Sequence, residues 1–394
     1  MHITGDQHLV KKINKSIVLE TIKKKSPLSR SQISELTGLH KGTVSSLINE
    51  LIEEDLVFEI GHGLSSGGRR PVMLLFNQEA GYAIGVNLGV NFILVILTNL
   101  QGEVIDEKTT YFEQTSLDVV IPMLIEAIQA MIARAPKTTY GIIGIGIGVP
   151  GVLDDKGTIL LAPNLGWENV DLHRILTDAF QIPVTIENEA NAGAIGEKEF
   201  GFGKEDANLI FVSVGIGIGT GILLNGEIYR GASGFSGEMG HFVIETNGKK
   251  CKCGSKGCWE LYASENALIE QARQFLVDES GDQTLDINTL VAMADSGSAR
   301  VIHLFNQIGE YIGIGISNII NMFNPELIVI GNRLAVAEKW IKNPIMRIVE
   351  QSTFPFIRRQ LRISFASPAT DSIALGAAYT ATKSFFSNTK VWVD

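Results

Sequence analysis

Two stretches of this chain share one texture. Residues 81–112 read GYAIGVNLGVNFILVILTNLQGEVIDEKTTYF, and residues 208–231 read NLIFVSVGIGIGTGILLNGEIYRG. Each is an apolar run, a glycine turn, a second apolar run, then a polar turn (NLQG in one, LNGE in the other) before a further short strand. Such a recurrence implies a duplicated α/β lobe. Two lobes imply a cleft between them, and clefts of this kind take small ligands. Around these stretches the periodicity predicts a helix over 117–134, a buried strand in IIGIGIGVPGVLD (142–154), a helix over 303–321, a buried strand over 326–332 and a last helix over 371–385. We expect lobes over 81–187 and 188–370, with the last helix returning to the first lobe. A chain of 394 residues leaves room for one more domain before them.

That domain is residues 1–80. NKSIVLETIKK (14–24) sets Ile17, Val18, Leu19 and Ile22 on a helical face. Ser29 followed by Gln32 has the polar spacing of a capping box, Ile33 and Leu36 are expected to face inward, and Gly38 ends that helix. His40 or Thr43 opens the next helix, with Val44, Leu47, Ile48 and Leu51 as its apolar stripe. Helix, short glycine turn, helix is a helix-turn-helix pattern. Short strands at 56–60 and 72–76, joined by a Gly/Ser loop ending in Arg69 and Arg70, add a wing. The first 49 residues carry 8 Lys or Arg against 3 acids, although the whole chain has a net charge of −10. A basic module on an acidic body points to nucleic acid at that end alone. Candidate DNA-binding residues are Ser31, Lys41, Thr43, Ser45 and Ser46 near the recognition helix, and Arg69 and Arg70 for phosphates or the minor groove.

All three cysteines, Cys251, Cys253 and Cys258, lie within KCKCGSKGC, with His241 ten residues before the first. Three thiols do not make a disulfide framework. One imidazole and three thiols are the donor set of a structural zinc, and Gly254 and Gly257 allow the tight backbone such a site needs. Lys249, Lys250, Lys252 and Lys256 would offset the thiolate charge. A loop with free thiols is the plainer alternative.

Polar residues collect at the ends of apolar strands: Asn164 in LAPNLGW, Glu187, Asn188, Glu189 and Asn191 in TIENEANAG, Glu238 and His241 in GEMGH, and Glu260 after Cys258. Buried carboxylates and amides need partners, and a polyol supplies hydroxyls that both donate and accept. The acidity of the set disfavours a phosphorylated sugar. One ring nitrogen of His241 can bind a metal while the other meets a ligand. The opening residues, MHITGDQHLVKKINKSIVLE, lack the apolar run of a secretion signal, and no apolar run is long enough to span a bilayer. A cytoplasmic protein without a membrane partner is expected.

ENEANAGA, SGEMGH and CKCGSKGCWE with its upstream histidine resemble the ROK family of repressors and sugar kinases, over essentially the full length. The resemblance implies an actin-like or ribonuclease H-like two-lobed body behind the winged helix-turn-helix, zinc at His241, Cys251, Cys253 and Cys258, and a homodimer on palindromic operator DNA. It implies sugar contacts from Asn164, Asn188, Glu238, His241 and Glu260. Glu189 stands in the sugar set at the position of the kinases' catalytic base, normally aspartate. Within the family, NKSIVLETIKKKSPLSRSQISELTGLHKGTVSSLINEL and SSGGRRPVMLLFN are most similar to the branch that answers to D-xylose in low-GC Gram-positive bacteria, which implies D-xylose or a related monosaccharide as effector. Three departures speak against catalysis. The kinase phosphate loop Asp-x-Gly-Gly-Thr reads Asn87-Leu88-Gly89-Val90-Asn91, the base is one methylene longer, and a glycine pair reads Gly331–Asn332. The expectation is a sugar-released repressor and no enzyme. An active kinase with a DNA-binding appendage, or a repressor answering to glucose or another sugar, are the alternatives.

Overall fold

The computed structural model describes residues 7–62, 70–154, 156–276, 285–367 and 369–388. Three helices, Gln7–Lys25, Arg30–Thr37 and Lys41–Glu53, open the chain. The Ser29 hydroxyl accepts from the Gln32 amide while the Gln32 side chain accepts from the Ser29 amide, so the capping box closes in both directions. Gly38 leaves the helix in the left-handed region at φ 70°. His40 caps the third helix through Nδ1, which accepts from the Gly42 amide at 3.1 Å. Val57–His62 pairs antiparallel with Val72–Phe76, and the latter also pairs with Leu28–Ser29. Arg30 ties the wing to the helices, donating to Glu59 at 2.9 Å and to Asn49 at 3.2 Å.

Val18, Leu19, Ile22, Ile33, Val44, Leu47, Ile48 and Leu51 are buried together. Two expectations fail here. Ile17 and Leu36 are exposed, because each lies off the stripe that meets the neighbouring helices. The same core continues into the body through Ala83, Ile143, Ala378, Ala381 and Phe386.

The body contains two five-stranded sheets of one topology. In the first, Tyr82–Leu88, Phe92–Asn99 and Val104–Tyr111 run antiparallel, and Ile142–Val149 and Val184–Asn188 add parallel strands on the other side. In the second, Leu209–Val214, Ile218–Leu224 and Glu227–Ile228 run antiparallel, and Leu327–Gly331 and Arg362–Phe365 extend the sheet in parallel. The duplication read from the two glycine-turn stretches is therefore a duplication of sheet order.

Each sheet covers one face with ordinary apolar packing. Helix Leu117–Arg134 buries Val120, Leu124, Ile128 and Met131 against Ile84, Val86, Ile145 and Ile147. Helices Ala299–Phe323 and Glu338–Ser352 do the same for Ile210, Val212, Ile328 and Ile330. The other faces carry glycine. In IIGIGIGV, Ile145 and Ile147 face that core while Gly144, Gly146 and Gly148 face helix Ser372–Asn388. A Cβ at Gly146 would stand 1.8 Å from the Ala377 carbonyl oxygen. Helix Glu189–Glu199 sits as closely on the second sheet, where a Cβ at Gly221 would stand 2.1 Å from the Ala190 carbonyl oxygen. Glycines such as Gly85, Gly146, Gly221 and Gly376 thus have a structural use: they let two helices lie backbone-to-backbone between the sheets.

Candidate interlobe site and metal-ligand cluster

The cleft opens where the strands of both sheets end. Its floor is formed by two turns, Gly89–Asn91 between the first sheet's hairpin strands and Gly215–Gly217 between the second's. Asn164, Asn188, Glu189, Glu238, His241 and Glu260 all line it.

Asn188 closes strand Val184–Asn188 and caps helix Glu189–Glu199. Its Oδ1 accepts from the Ala190 and Asn191 amides at 2.9 and 3.2 Å, and its Nδ2 donates to the Gly151 carbonyl at 2.9 Å. One amide hydrogen is left to turn into the cleft. Glu189 follows in the first helical turn. Burial raises its pKa to about 7, the Ser213 hydroxyl opposes the rise from 3.4 Å, and buried Asp371 adds to it. Near neutral pH this carboxyl can therefore donate as well as accept.

Glu187 and Asn191 line an adjoining cavity that shares Gly151, Asn188 and Glu238 with the cleft. The Arg230 guanidinium grips Glu187 with two bonds, at 2.9 and 2.5 Å, and Asn191 Nδ2 donates to Glu187 at 3.1 Å. Their polar groups are satisfied internally, with no ligand needed.

His241 ends a short 3-10 turn, Met239–His241. Nδ1 lies 3.7 Å from Cys251 Sγ, and Nε2 faces Glu238 at 4.0 Å. Cys253 and Cys258 have their sulfurs 3.7 Å apart. The ligand atoms of His241, Cys251, Cys253 and Cys258 all lie within 4.8 Å of one another. The sulfur separation matches the edge of a tetrahedron built on zinc–sulfur bonds of about 2.3 Å, roughly 3.8 Å. The donor set and its spacing thus fit a metal, and Cys251 and Cys258 are buried. Gly254 and Gly257 both have positive φ, 94° and 71°, in the turns that bring the thiols round. Glu260 joins cluster and cleft: its carboxylate is 3.2 Å from Cys251 Sγ and 3.6 Å from His241 Nδ1. Trp259, fully buried, pins the segment to helix Ala299–Phe323 by donating to the Tyr311 carbonyl at 2.7 Å. Lys252 lines the cleft, whereas Lys249 pairs with Glu270 at 2.6 Å, away from the thiols.

Sequence reading missed Arg333. It lines the cleft from the second lobe, donates to Asn91 of the first at 3.1 Å, and holds Nε 2.7 Å from the buried Glu265 carboxylate. An arginine next to the Gly331–Asn332 departure was the available signal. Asn332 keeps a glycine-like backbone, φ 66° and ψ −162°, with its amide donating to Ser213 at 2.9 Å.

At the other end of the molecule, Ser31, Lys41, Thr43 and Ser46 are exposed and Ser45 is half-buried. Arg70 is exposed, and Arg69 lies outside the described residues. No described helix is long and apolar enough to cross a membrane.

With this geometry established, comparison with known proteins is informative. Residues 83–384 match the model of the ROK family. The chain is 45% identical over 372 residues to the xylose repressor of Bacillus spizizenii, covering 94% of this chain and 95% of that one. A solved ROK family transcriptional regulator, described as a homologue of E. coli MLC protein, superposes with a TM-score of 0.81 at 27% identity over 97% of this chain and 99% of its own. A ROK family glucokinase from Streptomyces griseus, solved with glucose and AMPPNP, gives 0.69 at 28% identity, over 77% of this chain and 100% of its own.

Proposed function

The chain belongs to the ROK family, and on that premise we propose that it is a sugar-responsive transcriptional repressor, released from operator DNA by D-xylose bound between its lobes. The observation that carries this reading is the union, on one chain, of an exposed helix-turn-helix face at Lys41, Thr43 and Ser46 with a hydroxyl-matching cleft at Asn164, Asn188, Glu189, Glu238, His241 and Glu260. Xylose as the sugar is argued from the Bacillus relative and its printed name, xylose repressor. The glucokinase covers 77% of this chain where the transcriptional regulator covers 97%, which supports residues 1–80 being a separate DNA-binding unit before lobes at 81–187 and 188–370.

In this reading the protein works in the cytoplasm as a homodimer, presenting two recognition helices to a palindrome about one DNA turn apart. His241, Cys251, Cys253 and Cys258 hold zinc. The ion would act structurally, fixing the His241 ring so that Nε2 stands beside Glu238 at the sugar. Kinase chemistry is not part of the reading. Asn87 offers no charge to a magnesium ion, and its amide is bound to Asp371.

The test is to select DNA from a random pool with the purified chain, then titrate D-xylose, D-glucose and N-acetylglucosamine into the complex. A palindrome released by D-xylose is the expected result. Release by another sugar alone overturns the effector, and failure to select any sequence overturns the repressor.

A further inference from the structure

Helix Glu189–Glu199 begins in the cleft and ends at the DNA-binding module. At its first turn Asn188 and Glu189 line the cleft. Eleven residues on, roughly 16 Å along the axis, Glu199 enters a second cavity, between helix Gln7–Lys25 of the module and the body. Lys23 of the module, and Glu199 and Tyr379 of the body, share that cavity. The Lys23 ammonium lies 5.3 Å from the centre of the Phe386 ring and shares the cavity with two carboxylates, Glu20 of its own helix and Glu199 of the body, whose charges it feels in that order. Tyr379 lines the cavity beside Glu199 and packs its ring edge-on against Phe200, the next residue, 6.0 Å between centres.

The helix is packed to move as a rigid body with the last helix. It is built of small residues, Ala190, Ala192, Gly193, Ala194 and Gly196. It meets glycines on both sides: a Cβ at Gly221 would stand 2.1 Å from the Ala190 oxygen, and one at Gly376 1.8 Å from the Ala192 oxygen. Such a contact leaves no room for tilting, and the Ser372 hydroxyl, which donates to buried Glu197, locks this helix to the last one, so that the pair shifts together when a two-lobed cleft closes. A shift at Asn188 therefore reappears at Glu199.

We propose that helix Glu189–Glu199 carries the state of the cleft to the DNA-binding module, and that Glu199 is the positioning residue that passes it on through Lys23 and Tyr379. This rests on the repressor reading above and adds the route of regulation. Glu199 touches neither sugar nor DNA, so its removal should spare both affinities and weaken only their linkage.

The experiment uses the full chain, the DNA selected as above, and D-xylose. The readout is the ratio of DNA Kd with saturating D-xylose to that without, alongside the sugar Kd of the free protein and a thermal melt. In Glu199→Gln and, separately, Lys23→Met, the sugar Kd and the sugar-free DNA Kd should stay within about 3-fold of the parent, while the ratio falls towards 1 from the parent's value, allosteric factors usually spanning about 5 to 150. Two variants on opposite sides of the seam guard against one that fails to fold. If the parent is released by D-xylose and both variants keep its ratio, the helix route is wrong and the repressor reading stands. If D-xylose does not change DNA affinity in the parent, the functional reading fails first, and this inference with it.

Discussion

The side-chain amide of Asn87 donates to the Asp371 carboxylate at 2.9 Å, joining the first glycine turn to the cap of the last helix. Asn87 is 1% exposed, and Asp371 also accepts from the Ala374 amide at 2.7 Å. Burial pushes the Asp371 pKa up, and the hydrogen bonds from Ala374 and Asn87 oppose that rise. At position 87 the family's kinases carry aspartate, so restoring the kinase residue would set a second carboxylate against the first. Asn87→Asp should therefore lose about 1–3 kcal/mol of stability at pH 7.5 by denaturant unfolding, the usual cost of losing a buried partner. The loss should shrink as pH falls, because protonating either carboxyl removes the repulsion. ATP turnover should not appear. Unchanged stability would mean that this contact does not matter, and measurable phosphorylation of a sugar would reopen the kinase alternative.

Glu189 makes a pH prediction. Its carboxyl goes from an ordinary value near 4.5 to about 7 on folding, chiefly through burial. A group that holds its proton more tightly when folded favours the native state below pH 4.5, and that contribution is lost as pH rises through 7. Asp371 and Glu265 are also raised, by burial, and act with the same sign. The parent should thus lose stability between pH 5 and 7.5 more steeply than Glu189→Gln, which cannot titrate but can still meet Ser213. Parallel stability curves from urea unfolding at several pH values would refute the assignment to Glu189.

The helices and sheets were legible where local chemistry decides. The Ser29–Gln32 capping box, Gly38 and the apolar stripe of Lys41–Glu53 mark their own positions. The His241–Cys258 cluster was legible because its ligands lie close in sequence and glycines mark its turns. The grip of Arg230 on Glu187 was not legible, because the two stand 43 positions apart. The Asn87–Asp371 bond spans 284 positions, and Arg333 reaches Asn91 across 242. No pattern of spacing announces such pairs; they exist only after the two sheets have been brought face to face. Ile17 and Leu36 failed for a related reason, since helical periodicity names an apolar residue without saying which neighbour is there to cover it.

The metal cluster should couple to the sugar site through His241. Cys258 is fully buried, and its sulfur is 3.7 Å from Cys253. On the zinc reading proposed above, the parent should carry one ion per chain by elemental analysis and Cys258→Ser less. It should weaken D-xylose binding by about 10- to 100-fold, the range seen when groups that orient metal ligands are lost. Exhaustive chelation of the parent should do the same by calorimetry. Metal loss with unchanged sugar affinity would leave the cluster a purely structural clip, unconnected to the cleft.

The last prediction separates the two ends of the DNA-binding face. Arg70 is exposed at the base of the wing, where a guanidinium serves phosphates and carries little sequence information. Thr43 is exposed in the first turn of Lys41–Glu53, the part of a recognition helix that meets base edges. Arg70→Ala should therefore weaken every DNA alike and make the slope of log affinity against log salt shallower by about 1. Thr43→Ala should leave that slope alone and instead relax preference at one base pair of each half-site, by about 1–3 kcal/mol. Fluorescence anisotropy on the selected palindrome and its single-base variants, at four salt concentrations, distinguishes the two. If Thr43→Ala shifts the salt slope while Arg70→Ala changes base preference, the helix and the wing have been assigned the wrong way round.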